Sequence, residues 1–189
     1  MTPRVELVVI GASLGGLEAL QHLLPELPTS MPAIAIVQHR ITDTDGRLIE
    51  RLGKHSALPL VEPDDKTAIA PGTVYVAPSD YHLLVEPGWF SLSTEGVVQY
   101  ARPSIDVLFE TAADAYGPRV VAVVLTCASI DGVAGAVAIR KRGGQVLVQD
   151  PTEARSPILP SAVIAEGVAN VVAPLDELRR QLIRACARA

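Results

Sequence analysis

The sequence contains no apolar run long enough to cross a membrane. Its longest apolar runs fall well short of the roughly 18 residues that a spanning helix needs. The start, "MTPRVELVVIG", lacks the cationic segment and the longer apolar core of a secretory signal. We therefore expect no membrane insertion and a cytoplasmic location.

The chain also has few cysteines and no excess of positive charge. The two cysteines, Cys127 and Cys186, form neither a disulfide framework nor a metal-ligand pair with nearby histidines, so we expect no metal site and no cofactor. The chain has 16 Lys and Arg against 21 Asp and Glu, which gives a net charge of −5. Such a surface should not attract nucleic acid, and "RKRGG" at 140–144 is interpreted as the basic end of a helix.

The composition is typical of one globular domain. Apolar residues make up 49% of the chain and charged residues 20%, which excludes a disordered chain. A length of 189 residues suits a single domain over 1–189.

Apolar runs of strand length alternate with segments of helical spacing. Several of these runs are rich in β-branched residues and none alternates with polar residues, as in strands that are buried on both faces. This alternation predicts an α/β fold, a doubly wound and mainly parallel sheet with helices on both faces. The stretch "TVYVAPSDYHLLVEPGWFSLSTEG" predicts an inserted antiparallel hairpin. The predicted strands are Leu7–Ile10, Ala33–Val37, Thr73–Val76, Val120–Leu125, Gln145–Val148 and Val168–Val172.

The glycine-rich turn "GASLGG" after the first strand does not fit a nucleotide site. The dinucleotide fingerprint needs glycine at its second marked position, where this chain has Ser13. The acidic residue that would hold a ribose is also missing, because the second strand ends in Gln38 and His39. No Gly-Lys-Ser/Thr follows, which excludes a P-loop.

The same turn fits the mount of a reactive serine. Gly11 to Gly15 has the pattern G-x-S-x-G at a strand-to-helix turn, where small flanking residues leave the serine hydroxyl exposed. The free N–H groups of Leu14 and Gly15 could then hold an oxyanion. In the alternative interpretation, Ser13 only caps the helix that begins near Leu17.

Four polar residues follow predicted strands at one edge of the sheet: Ser13, His39, Asp131 and Asp150. Ligands of open parallel sheets bind at this edge, and a serine nucleophile needs a base that a carboxylate orients. These loops can supply all three groups in the order Ser, His, Asp. The residues alone do not choose between the two aspartates, since Asp150 before Pro151 could start a turn and Asp131-Gly132 could be the N-cap of the helix that begins near Val133.

The remaining candidates are expected to be structural. His22, His55 and His82 are interpreted as surface or partly packed residues. Cys127 is a weaker candidate nucleophile than Ser13, because small buried cysteines are common. Trp89 and Phe90 are expected to pack within the hairpin, and the segment 102–104 to start and cap a helix.

Several motifs in order resemble the catalytic domain of the chemotaxis protein-glutamate methylesterase family. They are "IGASLGG", "QH" at 38–39, "IAPGTVYVAPSDYH", "RPSIDVLFETAA", "VVLTCASIDG" and "GGQVLVQDPTEA". The resemblance implies that Ser13 is the nucleophile, His39 the general base, Asp131 the orienting acid and Leu14 a backbone oxyanion donor. It also implies hydrolysis of glutamate γ-methyl esters, with possible deamidation of glutamine, on methylated chemoreceptors or similar signalling proteins.

The chain departs from the family pattern near the implied site. Leu14 replaces a threonine, Cys127-Ala128-Ser129 replaces Gly-Met-Gly, and Ile158-Leu159 replaces Gly-Met before Pro160. The changed loop favours an alternative, a catalytically weak binding or scaffold module in signalling. Full-length members carry an N-terminal receiver domain, and since Met1 lies just before the first strand we expect a stand-alone relative.

Overall fold

A seven-stranded parallel sheet forms the centre of the molecule in the computed structural model, which describes residues 3–39, 47–54 and 56–187. A separate two-stranded antiparallel hairpin consists of β5 (His82–Glu86) and β6 (Trp89–Ser93). This architecture confirms the predicted doubly wound fold with an inserted hairpin. The sheet strands are β1 (Leu7–Ala12), β2 (Ala33–Gln38), β3 (Leu60–Val61), β4 (Val74–Val76), β7 (Val120–Val124), β8 (Gln145–Gln149) and β9 (Val171–Ala173), in the order β3-β4-β2-β1-β7-β8-β9.

Helices cover both faces of this sheet. On one face lie α1 (Gly16–Leu23), α2 (Leu48–Gly53) and α6 (Leu175–Ala187), and on the other α3 (Ile105–Tyr116), α4 (Val133–Lys141) and α5 (Ile158–Ala165). The side chains of β1 alternate between these two layers: Leu7 and Val9 face α3, whereas Val8 and Ile10 face α1. Every residue of β1 is buried, which explains its unbroken apolar sequence.

The chain reverses its winding direction at β1. This strand pairs with β2 on one side and with β7 on the other, in register over Gly11↔Val37 and Gly11↔Val124. The loops that leave β1 and β7 therefore diverge from adjacent points on the carboxyl edge. A crevice at such a reversal is the usual ligand site of an open α/β sheet.

The hairpin packs beside α3 and against the β4 side of the sheet, where the rings of Phe90 and Tyr75 have centroids 4.8 Å apart. Val85 and Phe90 join the core on this face, and Val85 N–H donates to Thr111 Oγ1 at 3.0 Å. Phe90 is fully buried as predicted, but Trp89 is 44% exposed, so the expectation of packing holds only for Phe90. The hairpin therefore shares one hydrophobic core with α3 and this face of the sheet.

Helices α3 and α4 approach each other most closely at Gly135. A Cβ at this position would collide with Phe109 Cβ and lie 3.2 Å from the carbonyl oxygen of Asp106. These neighbours belong to the α3 backbone or to the base of a side chain, so they cannot rotate away. The absence of a side chain at Gly135 therefore fixes the spacing of the two helices.

We expect Gly135→Ala to lower the free energy of unfolding by about 2 kcal/mol, because overpacking outweighs the better helix propensity of alanine. Chemical denaturation would measure this loss. The matched control is Gly53→Ala in α2, where a Cβ meets no atom within 4 Å. Equal stability of Gly135→Ala and wild type would show that the helices can separate without cost.

Candidate active site

Ser13 lies at the sharp turn that joins β1 to α1. Its N–H donates to Thr126 O at 3.0 Å, which ties the end of β1 to the loop after β7. The chain turns at Gly15, whose φ of 82° favours glycine, and α1 begins at Gly16. Gly15 is the N-cap and α1 has no side-chain cap, so the alternative in which Ser13 caps this helix is wrong.

His39 follows β2 and faces the same crevice. Its N–H donates to Ala12 O at 2.9 Å, which continues the β1–β2 ladder to this residue. Nε2 of the imidazole lies 2.7 Å from Asp131 Oδ2, and Nδ1 is therefore the ring nitrogen left for a neighbouring hydroxyl. Within the described residues, Ser13 Oγ and this ring line one cleft without a hydrogen bond between them. Such bonds are often long in unliganded enzymes.

The Asp131 carboxylate binds the N-terminus of α3. It accepts from Ser104 Oγ at 2.7 Å, from Ile105 N–H at 2.7 Å and from Asp106 N–H at 3.0 Å, as well as from His39. Burial alone would raise the pKa of Asp131, but the hydrogen bond to His39 and those from α3 hold it below its usual value. The side chain is thus a fully buried, ionised acceptor with a fixed orientation.

The Asp106 carboxylate in turn binds the N-terminus of α4. Its Oδ1 accepts from Gly132 N–H at 2.9 Å and Gly135 N–H at 2.8 Å, at the start of that helix. Burial raises the pKa of Asp106 to about 6, with a smaller contribution from the charge of Asp131, although the two backbone bonds oppose the shift. Each helix therefore receives a carboxylate from the residues at the start of the other.

The imidazole of His39 is strongly basic in this environment. Burial by itself lowers the pKa of His39, but the hydrogen bond to Asp131, the nearby Cys127 thiol and the charge of Asp131 together raise it to about 9. The ring is therefore mostly an imidazolium at neutral pH, paired with the Asp131 carboxylate.

Asp150 takes no part in this cluster. Its carboxylate accepts from Thr152 N–H and Thr152 Oγ1, both at 2.8 Å, and so closes a local turn. Of the two aspartates that the sequence left open, the structure thus places Asp131 against His39. The alternative in which Asp131-Gly132 is the N-cap of the following helix holds for Gly132, which is the N-cap of α4, whereas the Asp131 carboxylate does not cap that helix and bonds α3.

His82 was expected to be a surface or partly packed residue and not a base, but it is almost fully buried. The ring is 2% exposed; its Nε2 donates to Gly96 O at 3.0 Å and its Nδ1 accepts from Ser104 N–H at 3.2 Å. The partners lie 14 and 22 residues away in the chain, so no local pattern marks this role. Through Ser104, His82 connects the hairpin to the residue that bonds Asp131, and Ser104 caps α3 as predicted.

The other candidates occupy minor positions. His22 is exposed and lies 2.8 Å from Asp176, as expected of a surface residue, and His55 lies outside the described residues. Cys127 is fully buried beside His39 and does not line the cleft. In the parts of the chain that the structure describes, no group of three or more His, Cys, Asp or Glu side chains could hold a metal ion. No helix there is long and apolar enough to span a bilayer.

The cleft above Ser13 and His39 has a volume of about 730 Å³. Its near wall consists of Ala128 and Ser129 in the loop after β7, and its far wall of residues 97–103. Arg102 fixes the far wall, because its guanidinium bonds Asp80 at 2.6 Å, Thr94 O at 2.7 Å and Glu95 O at 2.9 Å. The insertion thereby forms a rigid side of the cleft.

Comparison with known proteins gives a consistent result. The sequence pattern described as CheB methylesterase matches residues 8–182. A protein from Leptospira interrogans is 40% identical over 181 residues, which cover 95% of this chain and 94% of that protein. The protein-glutamate methylesterase FrzG of Myxococcus xanthus is 40% identical over 96% of this chain, and the chain spans about half, 55%, of its length.

A solved structure also has the same fold. The crystal structure of the Thermotoga maritima CheB methylesterase catalytic domain superimposes with a TM-score of 0.91 at 34% sequence identity. The alignment covers 96% of this chain and 99% of that domain. The hairpin and the seven-stranded sheet thus belong to a fold already seen in a methylesterase catalytic domain.

We expect NMR titration of the His39 ring to give a pKa near 9 that falls below 6.5 in Asp131→Asn, because burial then acts without the carboxylate. Since the folded-state pKa is raised, the stability from this pair is complete below pH 6.5 and is lost as the pH rises through about 9. Asp150→Asn is the control and should leave the titration unchanged. A wild-type value near 6.5 would contradict the ion pair.

We expect Asp106→Asn to increase the free energy of unfolding by about 1–2 kcal/mol at pH 8, because an amide oxygen can accept the same two N–H bonds without a buried charge. A carboxyl with a raised folded-state pKa loses stability as the pH rises through about 6, so the gain should vanish below about pH 4. Denaturation at several pH values measures it. Asp114→Asn, at an exposed site on α3, should show no such trend; a destabilised Asp106→Asn at pH 8 would contradict our account.

Proposed function

Because this chain belongs to the CheB methylesterase family, we propose that it hydrolyses the γ-methyl esters of glutamate residues on a methylated receptor or a similar signalling protein. The names of relatives from Nocardioides and Myxococcus xanthus include protein-glutamate methylesterase, and the former also includes protein-glutamine glutaminase. Glutamine deamidation at the same site is the related activity. We treat residues 1–189 as one catalytic domain for this reaction.

One observation carries the proposal. The His39 imidazole lines the same cleft as Ser13 and is hydrogen-bonded to the Asp131 carboxylate. His39 and Asp131 lie 2.7 Å apart, and Ser13 lies at the end of the neighbouring strand. Ser13 is the proposed nucleophile, His39 its base and Asp131 the group that orients the ring. A serine hydroxyl is a weak nucleophile at neutral pH, so it needs a base of this kind.

In the acylation step, Ser13 Oγ attacks the ester carbonyl carbon while His39 Nδ1 takes the hydroxyl proton. The Leu14 N–H is the proposed oxyanion donor, and two observations support it: no described residue accepts from this group, and it lies just ahead of the N-terminus of α1. When the tetrahedral intermediate collapses, the C–O bond to the methoxy group breaks. The leaving oxygen takes the proton from His39, and methanol departs.

Deacylation uses the same groups. His39 takes a proton from water, whose oxygen attacks the acyl carbon, and Ser13 regains its proton when the ester bond to its Oγ breaks. The product is the free glutamate side chain. Asp131 keeps its charge throughout, since four hydrogen bonds hold it as an acceptor, and it stabilises the imidazolium that forms in each step.

The high pKa of His39 has a kinetic consequence. Only about one molecule in a hundred carries a neutral ring at pH 7 when the pKa is about 9. The rate of acylation should therefore rise with pH through the neutral range. Substrate that displaces water from the cleft would disfavour the charged ring and so raise the fraction of neutral His39.

We expect a fluorophosphonate probe to label Ser13, with the rate of labelling rising about tenfold per pH unit between pH 7 and 8. Intact mass and peptide mapping would locate the adduct. Ser13→Ala should abolish labelling, and His39→Ala should slow it by about 100-fold or more, because the base is lost.

Ser79→Ala is the matched control, since Ser79 lines the same cleft but makes no hydrogen bond to His39 or Asp131, and its loss should not affect labelling. Methanol release from a receptor fragment esterified at glutamate then tests the substrate. A folded protein that neither labels nor releases methanol would favour the scaffold alternative.

A further inference from the structure

A buried glutamine amide joins the loops that carry Ser13 and His39. Gln38 is the last residue of β2, and its side chain is buried. Its Nε2 donates to the Ser13 carbonyl oxygen at 2.8 Å and to the His39 carbonyl oxygen at 2.9 Å. An amide nitrogen has two N–H donors, so both are used. The reverse orientation would place the amide oxygen against two carbonyl oxygens, so these neighbours fix which end of the amide faces them.

The oxygen of this amide is not satisfied. Gln38 Oε1 is the only buried side-chain nitrogen or oxygen in the described parts of the chain that has no hydrogen-bond partner. It lies against Gly16, where a Cβ would collide with it, and this contact explains the final glycine of "GASLGG". Leaving a buried acceptor unpaired lowers the stability of a fold. The placement of this amide therefore points to a role in the site and not in stability.

The Ser13 carbonyl belongs to a type II turn that leads into α1. Gly16 N–H donates to this carbonyl at 2.8 Å, which closes the turn, and Gly15 at the third position has φ 82° and ψ 0°. The carbonyl oxygen therefore accepts two hydrogen bonds, one from Gly16 N–H and one from Gln38 Nε2. A carbonyl oxygen has two lone pairs, so its acceptor capacity is full and its direction is fixed from two sides.

The Leu14 N–H belongs to the same peptide unit as the Ser13 carbonyl. A trans peptide is planar, so its C=O and N–H point in opposite directions. The bonds that fix the Ser13 carbonyl therefore also fix the Leu14 N–H, which points away from the Gln38 amide. A carbonyl that accepts hydrogen bonds polarises its peptide unit, and the N–H becomes a stronger donor. On the other side of the turn, Thr126 Oγ1 donates to Leu14 O at 2.8 Å and holds the next peptide unit.

We propose that Gln38 is a positioning residue, which aims the Leu14 N–H at the oxyanion by holding the Ser13 carbonyl. This inference rests on the proposed function, since the oxyanion forms when Ser13 Oγ attacks. Gln38 does not line the cleft, so its removal should leave binding unchanged and lower only the rate of the chemical step. Its amide bonds backbone carbonyls and not the imidazole of His39, so the dependence of that rate on pH should also stay the same.

Fluorophosphonate labelling at a series of probe concentrations gives the maximal rate and the half-saturating concentration separately. Ser13 Oγ attacks phosphorus, fluoride leaves, and the P=O oxygen takes the place of the oxyanion in the transition state. Gln38→Met replaces the amide with an unbranched apolar side chain of similar length. We expect its maximal rate to fall about tenfold or more at both pH 7 and pH 8, with a half-saturating concentration within about twofold of wild type, because only the transition state is affected.

A wild-type maximal rate in Gln38→Met would overturn the proposal, and so would a changed ratio of the rates at the two pH values. The matched control is Gln145→Met at the amino end of β8, on the opposite edge of the sheet, which should keep wild-type labelling. Thermal denaturation checks that each variant is folded at the temperature of the assay. Gln38→Leu removes the same hydrogen bonds and takes the place of Gln38→Met if the latter does not fold.

An NMR measurement separates this inference from the proposed function, because it needs no reaction. The amide ¹⁵N resonance of Leu14 responds to hydrogen bonds at the Ser13 carbonyl, so Gln38→Met should shift it and Gln145→Met should not. An unchanged Leu14 resonance in Gln38→Met would overturn the proposal. A wild-type protein that takes no label would count against the esterase, and a shifted Leu14 resonance would then still support the positioning of this N–H. Equal labelling of wild type and Gln38→Met would support the esterase and overturn the role of Gln38.

Discussion

The exchange of carboxylates between the N-termini of α3 and α4 is the interaction on which the site depends. Asp131 stands before α4 but accepts from the first N–H groups of α3, and Asp106 stands in α3 but accepts from the first N–H groups of α4. A buried carboxylate lowers stability unless hydrogen bonds satisfy it. Here the backbone N–H groups at the N-termini of two helices donate those bonds. The exchange also explains why Gly135 must lack a side chain, since a wider spacing of the helices would separate donors from acceptors.

This arrangement gives the two aspartates opposite properties. Asp131 has four hydrogen-bond donors including an imidazolium, and its pKa lies below the usual value. For Asp106 the ionised form is disfavoured, because burial and the charge of Asp131 raise its pKa to about 6. Asp131, which faces His39, is therefore held in its ionised form, whereas the ionised form of Asp106 behind it is disfavoured. In turn, the ionised Asp131 makes His39 a strong base in spite of burial.

The insertion between β4 and α3 is joined to this centre through His82 and Ser104. His82 bonds the Ser104 N–H, and Ser104 Oγ bonds Asp131, so the hairpin and the acid belong to one buried network. Arg102 ties the remaining loop to Asp80 and to two carbonyl groups. The hairpin, the N-terminus of α3 and the His39–Asp131 pair thus belong to one hydrogen-bonded network at the carboxyl edge of the sheet.

The sequence alone determined the sheet, most strand positions and the set of polar residues at its carboxyl edge, because apolar runs and G-x-S-x-G are local patterns. The short strand β3 and the six-residue helix α2 escaped prediction, since neither is long enough to show periodicity. The residue pattern left Asp131 and Asp150 open and the family resemblance implied Asp131; the tertiary structure brings Asp131 to His39 and alone reveals the roles of His82 and Asp106. Those roles depend on hydrogen bonds between residues 22 to 92 positions apart, and such distances follow from the packing of helices and not from spacing along the chain.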